Sequence, residues 1–321
     1  MMMIRYITRR LIITVPTLIL VTMLLYVLLQ FIPGDPLDAY APPDAPISIA
    51  QRIVLRHSLG LDHPPVVRYF FWLRDTLQGN LGLRASNFQP VSDAIANAIG
   101  PTLILMGTSL TIAIVLGLVL GIISAARRGS FFDVFFTVSA YLGISMPPFW
   151  IGLVGLYVFA LVLHWFPAGG FDTPGQPFAL WDHLHHLILP AAFLSVFNLA
   201  AIMRYTRSAL LEEIGQDYIR TARAKGVSKR IVLSRHALRN ALLPVVTVIG
   251  AIIPSLLGGA VFIESVFSWP GMGQLYLAGV QARDYALVMG ITLVTAAAVL
   301  LTNLLTDIAY AVIDPRIRYD D

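Results

Sequence analysis

The sequence predicts an all-α protein that crosses a membrane six times. Of its 321 residues, 57% are hydrophobic and only 12% are charged, whereas a soluble domain carries about 25% charged residues. Six stretches without Asp, Glu, Lys or Arg each contain at least 21 residues, which is enough for a helix to cross a bilayer. This composition excludes an ordinary soluble enzyme, a disordered protein and a nucleic-acid-binding protein.

The first uncharged stretch is expected to stay in the membrane rather than to be cleaved as a signal peptide, because no small-residue cleavage site precedes Pro33. The third has 38 residues and holds either one long helix or two short helices hinged at Pro147 and Pro148. The six stretches are Leu11–Gly34, Ala94–Ala126, Val134–Phe171, His183–Met203, Asn240–Ile263 and Tyr285–Thr306.

The distribution of basic residues sets the number and direction of the spans. With six spans and an inward N-terminus, the inward segments hold 16 of the 22 Lys and Arg residues, nine of them in Arg204–Arg239. Cytoplasmic loops collect Lys and Arg, and a seventh span would place the nine-charge loop outside. We therefore expect six spans with both termini in the cytoplasm.

The segment Asp35–Asp93 is expected to lie outside as a small helical cap. Apolar residues at 3–4 spacing predict helices over Ile47–Leu59, which ends at Gly60, and over Pro65–Leu77. The cap is either a cover for the bundle or a contact for a partner or substrate. The predicted organisation is 1–34, N-terminus and first span; 35–93, extracytoplasmic segment; 94–314, core with an inward loop at 204–240; and 315–321, cytoplasmic tail.

The inward loop predicts a helix, a glycine turn and a second helix. Asp217 is expected to cap a helix over Tyr218–Lys225, and Gly226 stands where a helix C-terminus favours a left-handed residue. Ser228 is expected to cap a second helix over Lys229–Arg239. A basic loop touching anionic lipid would need neither the caps nor the glycine, so the pattern favours a docking surface for a cytoplasmic protein.

No catalytic site emerges from the sequence. Neither lysine, Lys225 or Lys229, stands in a Gly-Lys-[Ser/Thr] phosphate loop, and the chain has no cysteine. Glu264 and Asp307 lie at predicted span ends, which argues against an ion-coupled carrier. We expect one subunit of a pump whose motor is a separate protein; a stand-alone channel or carrier and a membrane-embedded enzyme are the alternatives.

A histidine cluster is the only candidate metal site. Its members, Asp182, His183, His185 and His186, could bind zinc or nickel, but they lie at a predicted interface where histidines also serve as anchors, so no metal site is assigned. Tryptophans near predicted outer boundaries are typical of an aromatic belt. They are Trp165, Trp181 and Trp269.

Prolines and glycines in or beside the spans are candidates for a gate or hinge, although kinks that merely suit helix packing are the alternative. Glu264 and Trp269, which lie close to these prolines and glycines in the sequence, are included among the candidates. The candidate gate or hinge residues are Pro147, Pro148, Gly258, Gly259, Glu264, Trp269, Pro270, Gly271 and Gly273.

The inward loop resembles the coupling loop of ABC importer permeases, in particular the dipeptide/oligopeptide branch. In importer permeases generally, this loop carries Glu-Ala-Ala and then a glycine four positions after the second alanine. The chain keeps Ala222 and Gly226 but has Arg220 and Thr221 at the preceding positions, and its Leu-Pro pair is displaced to residues 243–244, both typical of the peptide branch. Similar matches occur along the chain at Phe31–Pro36, Gly79–Gly82, Ser145–Trp150, Leu187–Pro190, Glu264–Gly273, Arg283–Tyr285 and Asp314–Arg316.

The resemblance implies that the chain has the fold of the transmembrane domain of a type I ABC importer and that it is the B-type permease subunit. It also implies a location in the bacterial cytoplasmic (inner) membrane. It implies a homologous second permease as partner, one or two ATPase subunits that bind ATP and Mg, and an extracytoplasmic substrate-binding protein. No cofactor is expected in this chain. The implied substrate is a di- or oligopeptide; nickel chelates, glutathione and other small solutes are alternatives. The implied ATPase-coupling residues are Asp217, Tyr218, Arg220, Thr221, Ala222, Arg223, Ala224, Lys225, Gly226, Arg235 and His236.

Overall fold

The computed structural model describes residues 2–31, 35–41, 48–177, 179–228 and 231–313. Within these ranges the chain is helical and forms no strand. Four expectations lie outside the described residues: the end of the first span at 32–34, the helix start at Ile47, the second loop helix start at Lys229, and the tail at 315–321 together with the match at Asp314–Arg316.

The helices follow one another as α1 (Met2–Gln30), α2 (Ile49–Ser58), α3 (Pro65–Leu77), α4 (Val91–Ala126), α5 (Phe131–Ser145), α6 (Pro148–Gly155), α7 (Leu180–Ile214), α8 (Asp217–Ala224), α9 (Leu238–Val266), α10 (Met272–Gln281) and α11 (Tyr285–Ile313). A π-helical turn, Leu156–Val162, continues α6, and another, Val232–Ala237, leads directly into α9.

Five helices are long and apolar enough to cross a membrane, and the bent pair α5–α6 supplies a sixth if it is counted as one span. The pair bends by 110° at Pro147, because a residue before proline avoids the helical region and Pro148 is well placed as the first residue of a new helix. The prediction of an all-α polytopic membrane protein is confirmed. Of the two alternatives for the third stretch, the structure has two helices that meet at the proline pair.

The described residues group into two compact units, Met1–Pro101 with Gly271–Asp321, and Thr102–Pro270. In the first unit, α3 packs against α1: Thr22 Oγ1 and Tyr69 Oη lie 3.0 Å apart, and Tyr69 also donates to the carbonyl of Ile19. The predicted helix over Pro65–Leu77 matches α3, and Ser48 forms a capping box with Gln51 at the start of α2. The side of the membrane on which these helices lie stays a prediction.

Asp284 ties a loop of the first unit to the start of α11. Its carboxylate accepts hydrogen bonds from the backbone N–H of Ala85, at 2.8 Å, and of Leu287, at 3.1 Å. The residue is almost completely buried, and this burial raises the pKa of Asp284 above its ordinary value.

In the second unit α7 is the central helix, and small residues let its neighbours approach closely. A Cβ atom at Gly121 of α4 would lie 2.7 Å from Thr206, and one at Gly155 of α6 would lie 2.1 Å from the ring of Phe193. Helices in lipid associate largely through such close backbone packing. The glycines therefore set how tightly α4 and α6 press on α7.

Candidate functional site

The inward loop contains α8, an eight-residue helix between α7 and the π-helical turn. Gln216 occupies the N-cap position with extended backbone angles and no side-chain cap bond. The prediction that Asp217 caps this helix is therefore wrong. Asp217 is the first helical residue, where its negative charge favours the helix N-terminus, and its carboxylate pairs with Arg220 at 3.3 Å.

Gly226 ends α8 in the predicted left-handed conformation, with a φ of 80°. Its N–H donates to the carbonyl of Arg223 at 3.0 Å, and the N–H of Val227 donates to Ala222 at 3.2 Å, so two terminal carbonyls are paired. A Cβ at residue 226 would meet nothing within 4 Å. Glycine is therefore favoured at this position by the left-handed backbone conformation and not by lack of space for a side chain.

One face of α8 is anchored in an apolar cluster. Ile219 is fully buried there against Leu210 of α7, Val232 and Ala237 of the π-helical turn, and small residues of α4 and α9. Ala222 packs against the same cluster. The remaining predicted coupling residues of α8 and its turn are exposed, namely Asp217, Tyr218, Arg220, Thr221, Arg223, Ala224, Lys225 and Gly226.

Tyr218 links α8 to the two long helices that flank the loop. Its hydroxyl donates to the carboxylate of Glu213 at the end of α7 and accepts from the amide of Asn240 in α9, at 3.0 Å. Partial burial and the bond to Glu213 raise the pKa of Tyr218. The predicted coupling residues Arg235 and His236 lie on the π-helical turn that precedes α9.

Three residues of this site were not predicted from the sequence, namely Ile219, Glu213 and Asn240. Ile219 carried a signal, because it is the only large aliphatic side chain between 217 and 226. The two polar residues carried none, since only the fold brings them to the Tyr218 hydroxyl.

A second network joins three helices, α4, α5 and α7, next to the turn between α4 and α5. Arg207 of α7 makes a two-pronged ion pair with Asp133 of α5, with Nε to Oδ1 at 2.6 Å and Nη2 to Oδ2 at 2.9 Å. Asp133 also accepts from the hydroxyl of Ser124 in α4 and from the N–H of Gly129. The carboxylate is buried and fully bonded, so it holds α4, α5 and α7 in one arrangement.

An open cavity of about 400 Å³ lies between α5, α6, α7 and α9 of the second unit, and three of the phenylalanines that line it, Phe149, Phe197 and Phe262, are 44%, 45% and 51% exposed. Three of the predicted gate residues come together in its wall: Pro148 at the start of α6, and Gly258 and Gly259 in α9. Pro147 forms the bend beside it. The cavity wall is apolar except for Asn198 of α7, since no other lining residue carries an amide, hydroxyl or charged side chain.

The other predicted gate residues lie elsewhere. Glu264 is fully buried and accepts a hydrogen bond from Thr102 Oγ1 at 2.7 Å. Trp269 is also fully buried, with ring centroids 4.9 Å from Phe171 and 5.7 Å from His183. Pro270 closes the second unit, whereas Gly271 caps α10 and Gly273 is buried within that helix, both in the first unit.

The assignment of Trp269 to an aromatic belt is therefore wrong. It fills the core of the second unit because the turn after α9 points the indole inward. In this turn the backbone N–H of Trp269 donates to the carbonyl of Glu264 at 2.8 Å. Trp165 and Trp181 are 59% and 76% exposed, as the belt prediction requires.

The histidine cluster binds backbone carbonyls. His183 pairs with the carbonyl of Phe171, His185 with that of Trp165, and His186 with that of Asp182. Among the described residues, no three His, Asp or Glu side chains converge on a point that could hold a metal ion. The hydrogen bonds of His183 and His185 therefore hold the segment that precedes α7 against this helix.

Comparison with known proteins identifies the family. Residues 117–319 match the model of the binding-protein-dependent transport system inner membrane component, and residues 3–98 match its N-terminal model. The chain belongs to this family. Its members are permease subunits of ABC importers, which work with an ATPase and a substrate-binding protein, and this chain is such a multi-pass permease.

Relatives match along almost the whole chain. A candidate peptide permease protein of Brucella suis biovar 1 (strain 1330) is 54% identical over 98% of this chain and 99% of its own length. The oligopeptide transport system permease protein AppB of Bacillus subtilis (strain 168) is 42% identical over 98% of this chain and 99% of its own length. The crystal structure of an amino acid ABC transporter with histidines shares the fold, with a TM-score of 0.51 and 12% identity over 70% of this chain and 95% of that one.

Proposed function

We propose that this permease imports di- or oligopeptides and that α8 is the helix through which an ATPase subunit drives it. The observation that carries the proposal is the construction of α8: Ile219 and Ala222 attach one face to the membrane helices, while Arg220, Arg223 and Lys225 are exposed. A helix of eight residues is not stable alone. Its anchored face therefore makes it a rigid contact rather than a loose basic loop.

The anchoring supports a transmission path. A push on the exposed face of α8 acts on α7 and α9 through the Ile219 cluster and through the hydroxyl of Tyr218. Movement of α7 is then transmitted to α5 through the Asp133–Arg207 pair and to α4 through the hydrogen bond from Ser124 to Asp133. The same helices α5, α7 and α9 line the cavity, so displacement of α8 changes its shape.

The proposal also assigns partners and orientation. Nine Lys and Arg residues in the 204–239 loop support a cytoplasmic position for α8 and both termini, opposite a substrate-binding protein on the outer side. A homologous second permease completes the pathway, and the chain itself is non-catalytic, because ATP and Mg bind to the ATPase subunits. The peptide assignment follows the names of the Brucella and Bacillus relatives.

The coupling role is tested in proteoliposomes that contain the full complex. Ala222→Glu forces a carboxylate into the apolar cluster, and Gly226→Pro demands a φ near −65° where the chain needs 80°. Both variants are expected to insert and assemble while ATP hydrolysis no longer drives uptake. Gly226→Asn is the matched control, because asparagine tolerates the left-handed conformation. Full uptake by either test variant contradicts the coupling role.

The substrate assignment is tested in the same vesicles with labelled solutes. ATP-dependent accumulation of di- and oligopeptides is expected, and neither a nickel chelate nor glutathione should compete at equal concentration. Accumulation of a chelate or of glutathione without any peptide uptake contradicts the assignment.

A further inference from the structure

Asn198 presents its amide at the wall of the cavity. It lies on α7, is only 5% exposed, and lines the 400 Å³ cavity. Its side chain makes no hydrogen bond with the described residues. Ser195, one turn earlier on the same helix, is satisfied locally, since its hydroxyl donates to the carbonyl of Ala192 at 2.6 Å.

Because the amide lines the cavity and makes no hydrogen bond within the described residues, its donor and acceptor can pair with an occupant of the cavity. Its carboxamide offers an N–H donor and a carbonyl acceptor side by side. One residue of an extended peptide presents its own N–H and C=O on the same side, so it can donate to the carbonyl and accept from the N–H of the carboxamide. Ser109 and Thr206 carry buried hydroxyls without partners, but neither residue lines the cavity.

The rest of the cavity suits the other parts of a peptide. Four phenylalanine rings contribute to its wall, and no charge lines it. A Cβ at Gly258 would meet nothing within 4 Å, so the glycine leaves free space beside the bare backbone of α9. The volume falls within the range of about 300–1,000 Å³ that small-ligand sites occupy.

We propose that this cavity is a binding subsite for a peptide in transit, in which the Asn198 amide pairs with the backbone N–H and C=O of one extended residue and the phenyl rings receive side chains. Pairing with the backbone makes recognition independent of peptide sequence. The inference rests on the proposed peptide import and adds the residue that contacts the solute inside the membrane.

Uptake by the reconstituted complex tests the hydrogen bond. Asn198→Leu keeps the approximate volume and removes the amide, so dipeptide uptake is expected to fall about tenfold, the equivalent of one lost hydrogen bond. Ser195→Ala is the matched control and should retain full uptake. Equal uptake by wild type and Asn198→Leu overturns the inference, whereas absence of peptide uptake by the wild type overturns the proposed function instead.

Thiol protection tests the location without altering Asn198. Because the chain has no cysteine, Gly258→Cys introduces a single thiol in the cavity, and Gly107→Cys places one at an exposed glycine of α4 with open space around it. Labelling of this chain by a thiol reagent is measured by mass spectrometry during turnover. Peptide is expected to slow labelling at residue 258 and not at residue 107; equal labelling at residue 258 with and without peptide overturns the inference.

Discussion

Replacement of Ile219 by alanine tests whether α8 is anchored by one side chain. Ile219 has no exposed surface, and truncation of a buried isoleucine to alanine costs about 2–5 kcal/mol. The eight residues of α8 cannot sustain a helix without tertiary contacts. A loss of about 3 kcal/mol would shift the ratio of docked to undocked helix by roughly a hundredfold.

Hydrogen exchange of the backbone amides measures this ratio directly. The amides of Lys225 and Gly226, which donate to Thr221 and Arg223, should exchange up to about a hundredfold faster in Ile219→Ala. The amides in the middle of α7 should not change, because their protection depends on other contacts.

Ile231→Ala is the matched control, since the same side chain is removed from a residue that is 48% exposed. Its effect on exchange in α8 is expected to be small. Unchanged protection of α8 in Ile219→Ala, or an equal increase in both variants, would refute the anchoring argument and with it the rigid contact that the coupling proposal requires.

Two further contacts, one in each unit, are tested by substitution. Arg207→Ala leaves the Asp133 carboxylate buried without its cation, so unfolding in detergent should become easier by about 3–5 kcal/mol, and Arg207→Ala combined with Asp133→Leu should recover most of this loss; no recovery would show that the pair is not the cause. In the first unit, Asp284→Ala removes the acceptor for two backbone N–H groups and should cost about 1–3 kcal/mol. Because the pKa of Asp284 is raised, the folded state binds this proton more tightly than the unfolded chain does. The stability of wild type relative to Asp284→Asn should therefore increase as the pH falls through the raised pKa toward 3.8; a decrease over that range contradicts the burial argument.

Features that depend on neighbouring residues were predictable. The breaks at Pro147 and Gly226 follow from backbone angles that proline enforces and glycine permits. The helix over Pro65–Leu77 follows from its apolar spacing. Each of these signals lies within a few residues of the structure that it specifies.

Features that depend on distant residues were not predictable. Asp133 and Arg207 are 74 positions apart, and nothing near either residue indicates its partner. Trp269 has the same local surroundings as a belt residue, but contacts with Phe171 and His183 bury it. Asn198 lies in an uncharged run like many other polar residues, and only its place in a cavity wall distinguishes it.

The sequence by itself determined that the protein is a membrane protein, which segments are long and apolar enough to cross the bilayer, and that the 204–240 loop turns at Gly226. A bilayer selects for hydropathy and length, which are properties of a continuous run of residues. Only the tertiary structure decided that Ile219 anchors α8, that Arg207 pairs with Asp133, and that Asn198 and Gly258 line the same cavity. These pairings depend on which helix faces touch, and helix packing in lipid is set by close steric fit between segments far apart in the chain.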